Sequence, residues 1–153
     1  MSTVRPKLEN PGPERPDPTL RSGARDAGAQ RLVLDGYPSP EQATLLGPNR
    51  GTRRWGVAAE RARVHERVAV ECRRQGIRPM APPVLLTLTY VVPDRTRRDW
   101  DNYALIGKPV QDGLVKAGVL ADDSFESLTA AVRFRVERGR RALEITVEPV
   151  EAA

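Results

Sequence analysis

The run Val84–Val92 constrains the fold more than any other segment, because it consists almost entirely of apolar and β-branched residues. Such a composition is typical of a β-strand, and Pro93 and Asp94 end the run. Four of its large side chains recur at every second position and therefore share one face. The segment is predicted to be the central strand of a sheet.

Two segments with helical character lie on either side of this strand. Apolar residues recur at intervals of three and four over 54–75, and a second helical stretch covers 102–117. A glycine follows each segment directly, as is common after the end of a helix. Pro109 lies inside the second segment, so this helix is predicted either to begin near Lys108 or to kink there.

The remaining strand signals complete the predicted fold. Residues 31–34 form a short apolar strand, and 39–53, rich in Gly and Pro, are predicted to be a loop. Apolar and polar residues alternate over 128–136 and over 143–147, on either side of the turn 138–140, which predicts a hairpin with one buried face. The order β-α-β-α-β-β predicts an α+β fold, with two main helices on one side of a small mixed sheet.

The chain is predicted to contain one folded domain, 31–150, preceded by a disordered tail, 1–30. The tail is rich in proline and in charges of both signs, and its few apolar residues bury too little surface to offset the entropy of ordering. Neither a secretory signal nor a run long enough to cross a membrane is visible in the sequence. A cytoplasmic protein that does not contact membranes is the expectation.

The chain has one cysteine, Cys72, and one histidine, His65. A disulfide framework is therefore excluded, and a Cys/His zinc site nearly so. Both residues lie on the apolar stripe of the first helix, where Cys72 is predicted to be a core residue and His65 a hydrogen-bonded core histidine. Any metal ion must then be held mainly by carboxylates.

The formal net charge is +5, with 25 basic against 20 acidic residues, and only three of the basic residues are lysines. Arginine matches phosphate oxygens bidentately, although a high-GC genome explains the same bias equally well. Segment 50–78 holds nine arginines against three glutamates. This excess predicts a surface that faces a polyanion. A solvated helix face with Glu–Arg pairs accounts for about half of these arginines.

Two acidic segments lie on either side of the second helix. Asp99 and Asp101 are two residues apart, so in extended backbone their carboxylates point the same way, and Asp122 and Asp123 follow the helix. If the helix returns the chain to the sheet, these segments converge into a site of hard oxygen ligands suited to Mg²⁺ or Mn²⁺. A helix N-cap and a turn before a strand are the structural alternatives. The cations that would hold phosphate beside such a site are Arg95, Arg97, Arg98 and Lys108.

Three sequence motifs, in their order along the chain, resemble the motifs of a known protein family. The runs 98–102, 108–114 and 117–123 read Arg-Asp-Trp-Asp-Asn, Lys-Pro-Val-Gln-Asp-Gly-Leu and Ala-Gly-Val-Leu-Ala-Asp-Asp. This pattern resembles the RusA family of Holliday junction resolvases of bacteria and their phages. The resemblance is densest over 94–126 and covers about 31–150.

The resemblance implies roles for five residues. Asp99, Asp101 and Asp123 would be the catalytic metal-binding aspartates, and Asp122 the adjacent family acid. Lys108 would be the active-site lysine that stabilises charge on the scissile phosphate. The distance in sequence from Asp101 to Lys108 exceeds the single helical turn that is common in the family.

The expected function is that of a Mg²⁺-dependent endonuclease that resolves four-way DNA junctions in recombination and repair. Because such a junction has two-fold symmetry and needs paired cuts, a homodimer is expected. Two alternatives stay open: a non-catalytic nucleic-acid binding module, and a nuclease of the same fold that acts on other branched or single-stranded DNA. The residues predicted to contact DNA are Arg53, Arg54, Arg63, Arg67, Arg95, Arg97 and Arg98.

Overall fold

A computed structural model describes residues 28–48 and 54–151, with side chains from Gly56 onward in the second range. The predicted disordered tail lies almost entirely outside the described residues. The helices and strands are β1 (Gln30–Asp35), α1 (Pro40–Leu46), α2 (Arg54–Gln75), β2 (Val84–Val92), α3 (Trp100–Lys116), β3 (Leu128–Val136) and β4 (Ala142–Pro149). None of the described helices combines the length and apolar character needed to span a membrane.

The four strands form one mixed sheet in the order β1-β4-β2-β3. Strand β2 runs parallel to β3 and antiparallel to β4, and β4 is also antiparallel to β1. Alternate side chains of the strands pack with α2 and α3 in one core, as Leu86 and Ile145 do with Val68 and Val110. The predicted α+β class with a small mixed sheet is therefore confirmed, and so is the position of β2 inside the sheet.

The predicted hairpin of the last two strands is wrong. Strands β3 and β4 do not pair with each other but flank β2 on opposite sides. The connection between them crosses the end of β2, where the Glu137 N–H donates to the Val92 carbonyl at 2.9 Å. Alternation of apolar residues specifies which face a strand buries but not which strand lies beside it.

The predicted buried face of β3 is also largely wrong. Only Leu128 of the predicted apolar row is buried, whereas the side chains of Phe134 and Val136 are 37% and 43% exposed. Strand β3 is the edge strand of the sheet, and the side chains of its second half are exposed on both faces.

Both long helices end in the same way. Gly76 and Gly118 follow α2 and α3 with φ values of +70° and +78°, a backbone conformation that glycine adopts without a steric cost. After α2, the Ile77 N–H donates to the Cys72 carbonyl at 2.9 Å and the Gly76 N–H donates to the Arg73 carbonyl at 3.3 Å, which are the paired bonds of a Schellman motif. The predicted range 54–75 is confirmed. Of the two alternatives predicted for Pro109, a helix start near Lys108 is wrong, since α3 starts at Trp100 and runs on through Pro109.

Helix α1 occupies part of the segment predicted to be a loop. The Ser39 side chain accepts from the Gln42 N–H at 3.1 Å, and the Gln42 side chain accepts from the Ser39 N–H at 2.9 Å. Pro40 follows the cap as the first helical residue. This pattern, a serine followed directly by proline and three residues later by glutamine, is a sequence signal for the start of a helix. The Gly- and Pro-rich composition of the segment obscured that signal.

A buried carboxylate organises the face of the sheet opposite the helices. The Glu144 side chain on β4 is 8% exposed and accepts two bonds from the Arg135 guanidinium, at 2.6 and 2.7 Å. Arg31 on β1 pairs with the same carboxylate at 2.6 Å. The bond from Arg135, assisted by the charge of Arg31, lowers the pKa of Glu144 below its ordinary value of 4.5.

We expect Glu144→Gln to lower the free energy of unfolding by about 1–2 kcal/mol at pH 7, because it removes charge-assisted bonds. The pKa of Glu144 is lowered in the folded state, so its stabilisation is present above 4.5 and is lost as the pH falls through the folded value. The difference between wild type and variant in urea unfolding should therefore shrink at pH 3. Glu148→Gln, on the same strand and face, is the matched control, and a difference that persists at pH 3 would contradict the assignment.

Candidate active site

The segment between β2 and α3 is held by Arg98. Its guanidinium donates to the carbonyls of Asp94 and Thr96 at 3.0 and 2.8 Å and pairs with the Asp94 carboxylate at 2.8 Å. This pairing lowers the pKa of Asp94 to about 2. The Arg98 side chain is only 14% exposed, so its donors are committed to the loop that positions Asp99 and Asp101.

The first acidic segment lies at the N-terminus of α3. Asp99 is the N-cap residue, but its side chain makes no capping hydrogen bond, and its carboxylate lies 3.5 Å from the Arg97 guanidinium. Asp101 lies in the first turn and is exposed. Carboxylates are stabilised at this end of a helix by the backbone dipole, which is a structural reason for both acids. No cap bond engages Asp99, and Asp101 accepts the Asn102 N–H through one oxygen at 3.0 Å, so each carboxylate keeps an oxygen that can bind a ligand.

The second acidic segment contacts the middle of α3. The Lys108 ammonium lies 2.5 Å from an oxygen of Asp123 and 3.0 Å from one of Asp112. The bond to Asp123 raises the pKa of Lys108. Asp122 accepts from the Ser124 N–H at 2.8 Å, which fixes the turn before β3. Lys108 therefore joins two of the sequence motifs in space.

The predicted convergence of Asp99, Asp101 and Asp123 around one ion is not seen in the structure. Within the described residues, no group of three or more Asp, Glu, His or Cys side chains is arranged to hold a metal ion. The reason is the spacing on α3: Asp101 and Lys108 lie on one face, but seven residues correspond to roughly 10 Å along the helix axis. Asp123 contacts Lys108 and therefore lies about two helical turns from the start of α3.

A shallow cavity opens beside the start of α3. Its volume is about 300 Å³, and Arg95, Phe134 and Val136 contribute to its lining. The Phe134 ring packs against Tyr90 and Tyr103, with ring centroids 5.8 and 5.1 Å apart. The cavity lies where the parallel strands β2 and β3 end, and it combines an apolar floor with a cationic rim.

The arginine-rich face of α2 lies at the opposite flank of the sheet. Arg63 and Arg74 form pairs with glutamates three residues earlier, and the Arg67 guanidinium donates to the Asp35 carbonyl of β1. Strand β1 is three strands away from β3, roughly 14 Å in sheet spacing. Among the described residues, no hydrogen bond or ion pair joins these predicted DNA contacts to the predicted acidic site residues. Arg53 and the side chain of Arg54 lie outside the described residues.

Sequence reasoning assigned no role to Asp112 or Arg138. Asp112 is the second carboxylate on Lys108, and the i,i+4 spacing of the two residues was the available signal. Arg138 is exposed in the connection that crosses the end of β2, so it lies at the same end of the sheet as Arg95 and Arg97. The wrongly predicted hairpin hid that position, because a β3–β4 turn would not cross β2.

The lone histidine and cysteine are not part of this site. Cys72 is buried in the core, as predicted. His65 Nδ1 lies 3.0 Å from the Lys116 ammonium, whereas its Nε2 is buried with no hydrogen-bond partner among the described residues. The prediction of a fully hydrogen-bonded histidine is therefore wrong. Burial is the main cause that lowers the pKa of His65.

Comparison with known proteins does not assign the chain to a family. A scan against protein-family models finds no match for the chain, and a search of curated proteins finds none either. The resemblance to the resolvase family therefore depends on the three motifs and their order.

Proposed function

We propose that the chain is a Mg²⁺-dependent endonuclease that cuts four-way DNA junctions as a homodimer in the cytoplasm, in recombination and repair. The observation that carries this proposal is the contact between Lys108 and Asp123, which are 15 residues apart in the chain. It joins the lysine motif to the Asp-Asp motif on the face of α3 that also bears Asp101. Three motifs that are separate in sequence thus lie along one helix face.

The carboxylates have the chemistry that the ion requires. Asp99, Asp101 and Asp123, with Asp122 adjacent, offer only hard oxygen donors, which suit Mg²⁺ and also Mn²⁺. When bound, the ion would polarise the scissile phosphate and lower the pKa of a water molecule. Lys108 supplies a positive charge for the phosphate oxygens, and Asp112 and Asp123 hold its ammonium in place.

The roles of the arginines follow from their surroundings. Arg95, Arg97 and Arg138 are exposed at the end of the sheet that bears Asp99, and we assign them to the DNA backbone near the cut. Arg98 positions the loop instead, because three of its five N–H donors bond to the loop. Arg63 and Arg67, at the far flank, would contact a more distant part of a duplex arm. Such phosphate contacts weaken steeply with salt and carry little sequence information.

A specific observation favours a second candidate, a nucleic-acid binding module without catalysis. The three aspartates are not gathered in the described structure, and the dipole of α3 and an ion pair account for their positions. A nuclease of this fold that acts on other branched DNA is a variant of the first proposal. Only a panel of substrates separates junctions from these other structures.

The proposal is tested by cleavage of an end-labelled synthetic four-way junction, with a linear duplex of the same sequence as control. We expect paired nicks in the junction with Mg²⁺ or Mn²⁺, none with chelator, and none in the duplex. Binding of the junction without cleavage under every metal condition would exclude the nuclease and favour the binding module. Cleavage of forks or flaps in preference to the junction would keep the chemistry and change the substrate.

A further inference from the structure

The outer edge of β3 carries unpaired backbone groups. At one end of its ladder with β2, the Val84 N–H donates to the Ser127 carbonyl, and at the other the Glu137 N–H donates to the Val92 carbonyl. In a parallel ladder, the backbone N–H and C=O groups of every second residue point towards the neighbouring strand. Because Ser127 and Glu137 bond to β2, the odd-numbered residues of β3 direct these groups towards β2. The N–H groups of Ala130, Val132, Phe134 and Val136 therefore point to the open edge, and no hydrogen bond within the described residues uses them.

The other edge of the sheet is protected. The Gln75 side chain of α2 accepts from the Val33 N–H at 3.0 Å and donates to the Val33 carbonyl at 2.9 Å, as a neighbouring strand would. Natural sheets commonly block their edges in this or similar ways. No side chain among the described residues is seen to bond to the edge of β3 in this way, and the strand has no proline; its two charged residues, Arg133 and Arg135, lie on the face away from the helices.

An exposed apolar row accompanies this open edge. Ala130, Phe134 and Val136 are exposed and Val132 is half-buried, although all four point to the side of the sheet that elsewhere forms the core. A free edge of nine residues with such a row is a template for another strand.

We propose that the occupant of this edge is a second copy of the chain, paired through β3 in antiparallel orientation about a two-fold axis at Val132. This register pairs the whole strand and forms about eight hydrogen bonds between the copies. It sets Phe134 opposite Ala130, Arg133 opposite Ala131 and Arg135 opposite Thr129. Residues 129–131 are small where their partners at 133–135 are large, so the middle of the strand is complementary to itself in size.

The charges exclude registers in which the axis is shifted towards the C-terminus of β3. A shift of the axis by one residue towards the C-terminus would set Arg133 opposite its own copy, and a shift by two would set Arg133 opposite Arg135. Like charges directly opposite each other destabilise a strand pair. With the axis at Val132 no arginine faces another, and Arg135 keeps its bonds to Glu144.

This pairing has a consequence for the site. A two-fold axis between antiparallel strands stands perpendicular to the sheet, so both copies of α3 lie on the same face of an eight-stranded sheet. The two Lys108–Asp123 contacts then face the same side, as paired cuts in a two-fold symmetric junction require. That relevance to cleavage depends on the proposed function, whereas the interface itself does not.

The interface is tested first by molar mass in solution, measured by light scattering at micromolar concentration. We expect twice the 16.9 kDa of one chain for the wild type.

Val132→Lys sets two ammonium groups opposite each other, and Ala130→Pro removes an edge N–H without touching the β2 ladder. Each should weaken the dimer by about 100-fold or more. Val70→Lys, the same change at an exposed valine of α2, is the matched control and should leave the dimer intact.

Amide hydrogen exchange, read residue by residue by NMR, gives an independent test. In the dimer we expect protection of both odd and even amides of β3. In Val132→Lys the even amides at 130, 134 and 136 should exchange fast while the odd ones stay protected, since only the odd ones bond to β2. This alternation also shows that the variant is folded.

The outcomes separate this proposal from the nuclease. A monomeric wild type, or a dimer that survives both edge variants, overturns the β3 interface whatever the cleavage assay shows. A dimer that the edge variants dissociate supports the interface even if no DNA substrate is cut, and in that case only the proposed function fails.

Discussion

Asp101→Asn and Asp123→Asn are each expected to reduce junction cleavage by about 1000-fold or more, with junction binding changed only a few fold. Asparagine keeps the size of the side chain but removes the charge on which a divalent cation depends. Because most DNA affinity comes from contacts of cations with phosphates, removal of one carboxylate should not weaken binding. Cleavage and binding are measured on the same labelled junction.

Two aspartates provide matched controls. Asp35, at the end of β1, has a side chain that is 82% exposed, and Asp35→Asn should leave cleavage unchanged. Asp112→Asn removes one of the two carboxylates on Lys108 without touching the proposed metal ligands, so it should reduce cleavage by no more than about tenfold. If Asp101→Asn cuts as well as the wild type, Asp101 has no part in the mechanism. Full activity of both catalytic variants would favour a structural role for the acids.

The sequence predicted those elements whose signals are local. The bounds of Val84–Val92 and of Arg54–Gln75 follow from composition, helical spacing and a terminal glycine, each of which acts within a few residues. The pairing of β3 and β4 was wrong because strand partners are chosen by contacts between residues far apart in sequence. The turn after β3 looks like a hairpin turn, yet the chain crosses β2 there instead.

The candidate site was predicted only in part for a related reason. The two acidic segments were predicted to converge, but the segment around Asp123 contacts α3 at Lys108 instead. The same reasoning did not fix the position along the helix, because each added residue moves a side chain by 1.5 Å and by 100°. Arg98 shows a second limit: its neighbours in sequence suggested a phosphate contact, but its burial against Asp94 is a property of the folded loop.

Gly107→Ala is expected to lower the free energy of unfolding by about 2–3 kcal/mol, through overpacking between α3 and β2. A Cβ atom at this position would lie 2.6 Å from Leu88 Cδ1 and 2.7 Å from the Tyr90 hydroxyl oxygen. Neither neighbour has space to move, because both are buried and the Tyr90 hydroxyl donates to the Tyr103 carbonyl at 2.7 Å. The helix must therefore shift away from β2.

Gly56→Ala is the matched control for this prediction. Gly56 lies in α2, where the nearest atoms to an added Cβ are methyl groups of Leu45 at 3.4 and 3.6 Å, an ordinary contact. The same substitution should stabilise the protein there by about 0.5–1 kcal/mol, because alanine loses less backbone entropy in a helix than glycine. Urea unfolding of the two variants should therefore give changes of opposite sign. If both variants gain stability equally, the close approach of α3 to β2 does not exist, and the alignment of Lys108 with Asp123 loses its structural basis.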